Sequence, residues 1–237
     1  MDPAYGSAAA LALLAIASAC GEGPSQPEYD PQLDPADFVA AVTNPLFPLA
    51  PGTTYHFEGE TAEGVETIVT EVLADTRTIL GITATIVHDR VFLDGDLIED
   101  TFDWYAQQDN GDVWYLGEDS REIEDGEVVS TEGSWEAGLD GAKPGIIMWG
   151  DPAAHLNEEY RQEYYQGVAE DVATVIALDE EVEVPHGRFT GCLRTEDRNP
   201  LEPGAVEHKF YCPGIGLTLE GPADGSERFE LIGITGP

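Results

Sequence analysis

The sequence predicts an all-β protein: a single antiparallel, strongly curved sheet or open barrel with one or two short helices. Three observations predict it. From Thr53 onward the apolar pattern has period two rather than 3.6. Short β-branched and aromatic runs are punctuated by Gly, Pro, Asn and Asp. Two dipeptides, Asp94-Gly95 and Asn110-Gly111, sit between complementary runs, as two-residue hairpin turns do. An antiparallel sheet of this length must curl or close to protect its edges.

Residues 8–19 form a run of 12 small and apolar residues, too short to span a bilayer, which takes about 20. The run matches the apolar core of an export signal. It ends in Ala17-Ser18-Ala19-Cys20, similar to the bacterial lipobox, in which the Cys thiol receives a diacylglycerol and becomes the mature N-terminus. Ala17 stands where Leu or Val is more usual, and residues 1–7 carry no Lys or Arg. The expectation is a signal peptide over 1–19 and lipid attachment at Cys20. Gly21 follows Cys20, so the Asp that retains lipoproteins at the inner membrane of Gram-negative bacteria is absent. That points to the outer membrane or cell surface.

Residues 21–36 hold four prolines and four acids in 16 positions and read as an extended tether, so 20–36 is expected to be anchor and spacer. Asp34-Pro35-Ala36-Asp37 then looks like an N-cap with Pro in the first helical turn, and Asn44-Pro45 stops that helix. Composition shows no break beyond this point, which predicts a single β domain over 37–237.

Within the domain, residues 65–73 are β-branched and half alternating, and residues 78–93 form a long Ile/Val/Thr-rich run. A two-residue turn at Asp94-Gly95 sets Phe92 against Leu97, Val91 against Ile98 and Arg90 against Glu99. A two-residue turn at Asn110-Gly111 sets Gln107 against Trp114, Ala106 against Tyr115, Tyr105 against Leu116 and Asp103 against Glu118. Further strands are expected near residues 127–130, 133–136, 146–149, 171–178, 189–195, 208–212, 217–220 and 228–234. Residues 152–165 suit a second helix or, through Tyr160, Tyr164 and Tyr165, a strand.

Cys192 and Cys212 lie in runs flanking a Pro/Gly-rich turn. A hairpin centred on Glu202 places them directly opposite each other, with Thr195 against Lys209 and Glu196 against His208. Directly opposed side chains have Cβ atoms about 4.5–5.5 Å apart, which predicts a disulfide in an exported protein.

The chain carries 47 Asp+Glu against 10 Lys+Arg, a formal net charge of −37. Such a far field repels nucleic acid and anionic membrane surfaces, so the membrane contact expected is the lipid anchor. Three Cys exclude a disulfide-dense scaffold and a four-cysteine metal site. Between Asp94 and Asp140 there are 16 acids, and Arg121 is the only base. Few lysines among many acids suit a halophilic, strongly hydrated surface. The facing pair Asp103 and Glu118 needs relief of its repulsion, by solvent, by a proton or by a cation such as Ca²⁺.

No Gly-x-Ser-x-Gly, Ser-x-x-Lys or His-Glu-x-x-His motif occurs, and the five histidines form no i, i+4 pair. No catalytic residue is assigned, and no cofactor is expected apart from a Ca²⁺ ion at the Asp103–Glu118 pair. Trp104, Trp114 and Trp135 are candidates to line a concave, ligand-facing surface.

The runs Asp103-Trp104-Tyr105-Ala106-Gln107, Gly111-Asp112-Val113-Trp114-Tyr115-Leu116-Gly117-Glu118, Gly133-Ser134-Trp135-Glu136-Ala137-Gly138, Lys143-Pro144-Gly145-Ile146-Ile147-Met148 and Gln162-Glu163-Tyr164-Tyr165 extend to Tyr211-Cys212-Pro213-Gly214-Ile215-Gly216-Leu217. Together they resemble a family of secreted or lipid-anchored bacterial proteins without an established activity. The last run is also similar to the closing strands of lipoprotein-carrier-like envelope proteins built on one curved sheet. The resemblance implies a fold, not a ligand. Three functions stay open: a non-enzymatic binding or interaction module of the envelope, with an envelope protein as partner; a carrier or sensor of a small apolar ligand in the concave face; and a carboxylate-dependent hydrolase.

Overall fold

The computed structural model describes residues 29–236. The expected signal peptide and the anchor at Cys20 lie outside the described residues. The described chain is built from strands, as the period-two pattern predicts. They are β1 (Thr54–Glu60), β2 (Val65–Ile79), β3 (Ile82–Leu93), β4 (Asp96–Gln107), β5 (Val113–Asp119), β6 (Glu122–Glu124), β7 (Glu127–Ser130) and β8 (Trp135–Glu136). There follow β9 (Lys143–Met148), β10 (Glu159–Arg161), β11 (Glu163–Tyr164), β12 (Val172–Val184), β13 (Gly187–Arg198), β14 (Val206–Cys212), β15 (Gly216–Pro222) and β16 (Phe229–Thr235).

They form one antiparallel sheet whose main path is β10-β12-β13-β14-β15-β16-β1-β2-β3-β4-β5-β9-β11, with β6 branching from β4, β7 pairing with β6, and β8 pairing with β5. Its two end strands, β10 and β11, are consecutive in the chain and separated only by Gln162. The sheet therefore curls until its edges meet there, without a ladder across the seam. Gly145 permits the approach: a Cβ on it would stand 2.3 Å from the Gln162 backbone.

Among the described residues, helix is confined to two 3-10 turns, Pro35–Asp37 and Pro152–His155. The first is capped as expected, with the Asp34 carboxylate accepting from the Ala36 N–H at 2.9 Å. It ends after one turn because Phe38 bridges to Gln108. Residues 152–165 resolve into the second turn followed by β10 and β11.

Registers follow the turns. The β13–β14 ladder pairs Leu193 with Tyr211, Thr195 with Lys209 and Glu196 with His208, as the hairpin arithmetic predicts. Cys192 and Cys212 are bonded, with Cα atoms 4.2 Å apart. At Asp94-Gly95, Phe92 faces Leu97 as expected, but Ile98 is an extra residue on β4. Val91 then faces Glu99 and Arg90 faces Asp100, a correction to the uninterrupted register.

At Asn110-Gly111 the turn is wider than two residues. Gln108 N–H donates to Asp112 O at 2.8 Å and Gly111 N–H to Gln108 O at 3.0 Å. Gln107 therefore faces Val113, Ala106 faces Trp114 and Tyr105 faces Tyr115, one residue off the expectation. Leu116 and Gly117 together lie opposite Trp104, and this bulge restores the expected pairing of Asp103 with Glu118. Gly117 is required there: its φ is 137°, and a Cβ would stand 2.3 Å from Trp135 O.

The first described residues pack on the sheet. Tyr29 donates to Pro144 O at 2.8 Å, and Asp30 pairs with Lys143 at 2.5 Å. Residues 29–36, expected as the end of the tether, thus lie against the domain.

Candidate functional site

Residues 42–49 enter the concave face. Val42 and Leu49 are buried against Val72, Val87, Val113 and Met148, and Leu46 and Phe47 pack on the same cluster. Asn44 holds the segment in place. Its amide donates to Gly111 O at 2.9 Å and to Trp149 O at 3.1 Å, and Gln107 Oε1 accepts from the Thr43 and Asn44 N–H groups. Phe47 meets Tyr105 edge to face with ring centroids 5.1 Å apart.

The filling is incomplete. A cavity of about 120 Å³ remains between this segment, the sheet, and Ile215, Gly216 and Leu217 at the start of β15. Phe47, Tyr55, Phe57 and Tyr105 supply aromatic wall, and Asp89, Asp103 and Thr70 supply its polar groups. Strand alternation explains the mixture. Val87 and Asp89 point to one face of β3, and Tyr105 and Asp103 to one face of β4.

The carboxyls are strongly perturbed. Asp89 is pushed well up by desolvation, then by the neighbouring Asp103 and Glu220, against a hydrogen bond from Thr70 at 3.1 Å. Its Oδ1 is buried and has no partner among the described residues. Asp103 is 9% exposed and accepts from the Tyr115 hydroxyl at 2.6 Å. Burial raises both Asp103, to about 6, and Glu118, and the Asp103 charge raises Glu118 further. Glu163 is pushed up to about 8 by desolvation and Asp171, although Trp135 Nε1 donates to it at 2.8 Å. Lys209, half-buried, is held protonated against its desolvation by Glu220 and Asp197, 3.7 and 3.8 Å away.

The expected facing pair, Asp103 and Glu118, is thus present. Among the described residues no three His, Cys, Asp or Glu side chains stand in an arrangement suited to a metal ion. Trp104 and Trp135 are each 4% exposed and border a separate surface cleft of about 350 Å³. The Arg77 guanidinium covers the Trp104 ring at 4.0 Å and pairs with Glu136 at 2.5 Å. Trp114 is half-buried and donates to Gln108 Oε1 at 2.8 Å. None of the three lines the interior cavity.

The sequence reading missed Asp89, Glu163 and the inserted Phe47. Asp89 carried a signal: within a β-branched strand it stands two residues from Val87, on the same face. Phe47 carried none, because its place depends on a loop folding back over the sheet.

No protein-family model matches the chain, and no curated protein matches it. Among solved structures, it is similar to a "putative lipoprotein" from Parabacteroides distasonis, with 12% identity and a TM-score of 0.43. The match covers 80% of this chain and 98% of that one. A likeness at that score carries no argument about either fold or function.

Proposed function

We propose that this chain is a lipid-anchored, extracytoplasmic binding protein of the cell envelope, non-enzymatic, that holds a small and mainly apolar ligand in its interior. The observation that carries the ligand reading is the cavity of about 120 Å³, walled by aromatic rings where the rest of the concave face is filled by residues 42–49. Pockets of this kind, with few polar groups in an apolar wall, are how proteins hold small molecules. The anchor reading rests on the apolar run ending in Ala17-Ser18-Ala19-Cys20.

Toluene is the probe for the cavity. It should raise the melting midpoint in a dose-dependent way, and Leu217→Trp, which intrudes on the cavity wall, should remove the rise. A midpoint indifferent both to toluene and to its amine counterpart benzylamine in the parent protein overturns the ligand reading. Mass spectrometry of the mature N-terminus tests the anchor: a diacylglyceryl-modified Cys20 is expected, and an unmodified Cys20 in the membrane fraction overturns it.

A further inference from the structure

We infer that the interior cavity is selective for a small organic amine in its ammonium form, an aromatic or aliphatic body of about one ring bearing a primary or secondary nitrogen. The inference rests on the reading of this cavity as a ligand site and adds the chemistry of the ligand.

Four features of the wall lead to it. Phe47, Tyr55, Phe57 and Tyr105 present aromatic surface, whose negative faces attract a cation. Asp89 and Asp103 supply two carboxyls, and no basic side chain is among the residues that line the cavity. Asp89 Oδ1 is buried with its hydrogen-bonding capacity unused, while Oδ2 is occupied by Thr70. Burial favours the protonated Asp89 carboxyl, and an ammonium beside it favours the carboxylate and gives Oδ1 the N–H partner it lacks. Finally, Lys209, whose charge reaches Asp103, is already committed to Asp197 and Glu220.

The alternatives fit less well. An anion would meet two carboxyls and no cation. A purely apolar molecule would fill the volume and leave Asp89 Oδ1 unpaired. A quaternary ammonium would satisfy the rings but offers no N–H. Size sets the remaining limit. An engineered cavity of about 150 Å³ takes up benzene, so this volume of about 120 Å³ suits one small ring or a short alkyl chain.

The test is calorimetric titration of the full chain with benzylamine, toluene and benzoate in 0.5 M NaCl, where diffuse attraction to the acidic surface is screened to about 4–5 Å. Benzylamine is expected to bind at least tenfold more tightly than toluene, and benzoate not at all. Asp89→Asn keeps the shape and removes the group that can ionise beside an ammonium; it should weaken benzylamine at least tenfold and leave toluene unchanged. Asp103→Asn serves as the second variant should Asp89→Asn lose its cooperative melt, and the same loss of selectivity is expected. Equal affinity for benzylamine and toluene overturns the ammonium selectivity while the cavity reading stands. No binding of either overturns both. Benzylamine binding that both variants leave untouched assigns it to the acidic exterior and also overturns the inference.

Discussion

The two halves of the interior are built on the same strands but from opposite chemistry. On β3 the inward positions run from Val87 to Asp89, on β4 from Tyr105 to Asp103, on β13 from Leu193 through Thr195 to Asp197, and on β14 from Tyr211 to Lys209. One inward step, two residues or roughly 6.8 Å, takes each strand from apolar to polar. The apolar half is closed: Val72, Val113, Met148 and Leu193 are at most 1% exposed. The polar half leaves Asp89 Oδ1, Asp197 Oδ1, Thr195 Oγ1 and the Tyr160 hydroxyl buried without partners among the described residues. Each such group costs about 1–3 kcal/mol. One half therefore supplies stability, and the other gives some up to keep hydrogen-bonding capacity inside the sheet. The cavity sits where the two meet.

The largest expected effect comes from opening the apolar half. Leu193→Ala should destabilise by about 2–5 kcal/mol, read from the denaturant midpoint, because the packed site cannot collapse around the gap. A loss below about 1 kcal/mol would mean that the apolar half is not the stabilising one. Removing the disulfide with Cys192→Ala and Cys212→Ala should cost about 3 kcal/mol by the same measurement, since the bond closes a separation of 20 residues. Unchanged stability in the double variant would show that the ladder alone holds β13 to β14. Asn44→Ala should cost about 1–3 kcal/mol by leaving the Gly111 and Trp149 carbonyls unpaired beneath residues 42–49.

The polar half makes a pH-dependent contribution whose sign is set by its raised carboxyls. Glu163 titrates near 8 in the folded protein against 4.5 ordinarily. Below about 4.5 it is protonated in both states and its contribution is fully present. Between about 4.5 and about 8 the unfolded chain releases a proton that the folded chain keeps. Stability therefore falls as pH rises, by up to about 1.4 kcal/mol per pH unit for one proton. Asp171, pushed up to about 6 mainly by desolvation, adds to the lower part of that window. Glu163→Gln should make the slope shallower between pH 5 and 8; parallel slopes would show that this carboxyl does not set it.

The smallest effect concerns the exterior. With a net charge of −37, the melting midpoint should rise by a few degrees from dilute buffer to 1 M NaCl, as the screening length falls to about 3 Å. A flat series would remove the halophilic reading of the surface. Millimolar CaCl₂ at fixed ionic strength adds a check on the Asp103–Glu118 pair. A further rise that Glu118→Gln abolishes would assign a cation there.

Much of this architecture is local, and so was legible in the sequence. Strand alternation depends on neighbouring residues, which is why the all-β class and the strand positions could be read directly. Hairpin register depends on turn length, which is why Cys192 met Cys212 and Phe92 met Leu97. The same reasoning failed where a turn was wider than its dipeptide suggests, at Asn110-Gly111, and where Ile98 was inserted as a bulge. Asp103 still met Glu118 because a second irregularity at Leu116 and Gly117 cancelled the first. Only the tertiary structure decided which face of the sheet became the inside, that residues 42–49 would fill it, and that Asp89 would be stranded beside Phe47 and Tyr105. Those outcomes depend on contacts between segments far apart in the chain, whose free energies come from burial rather than from local conformational preference. The residues that carry the chemistry are all present in the sequence, but their solvent, their partners and therefore their protonation are properties of the closed sheet.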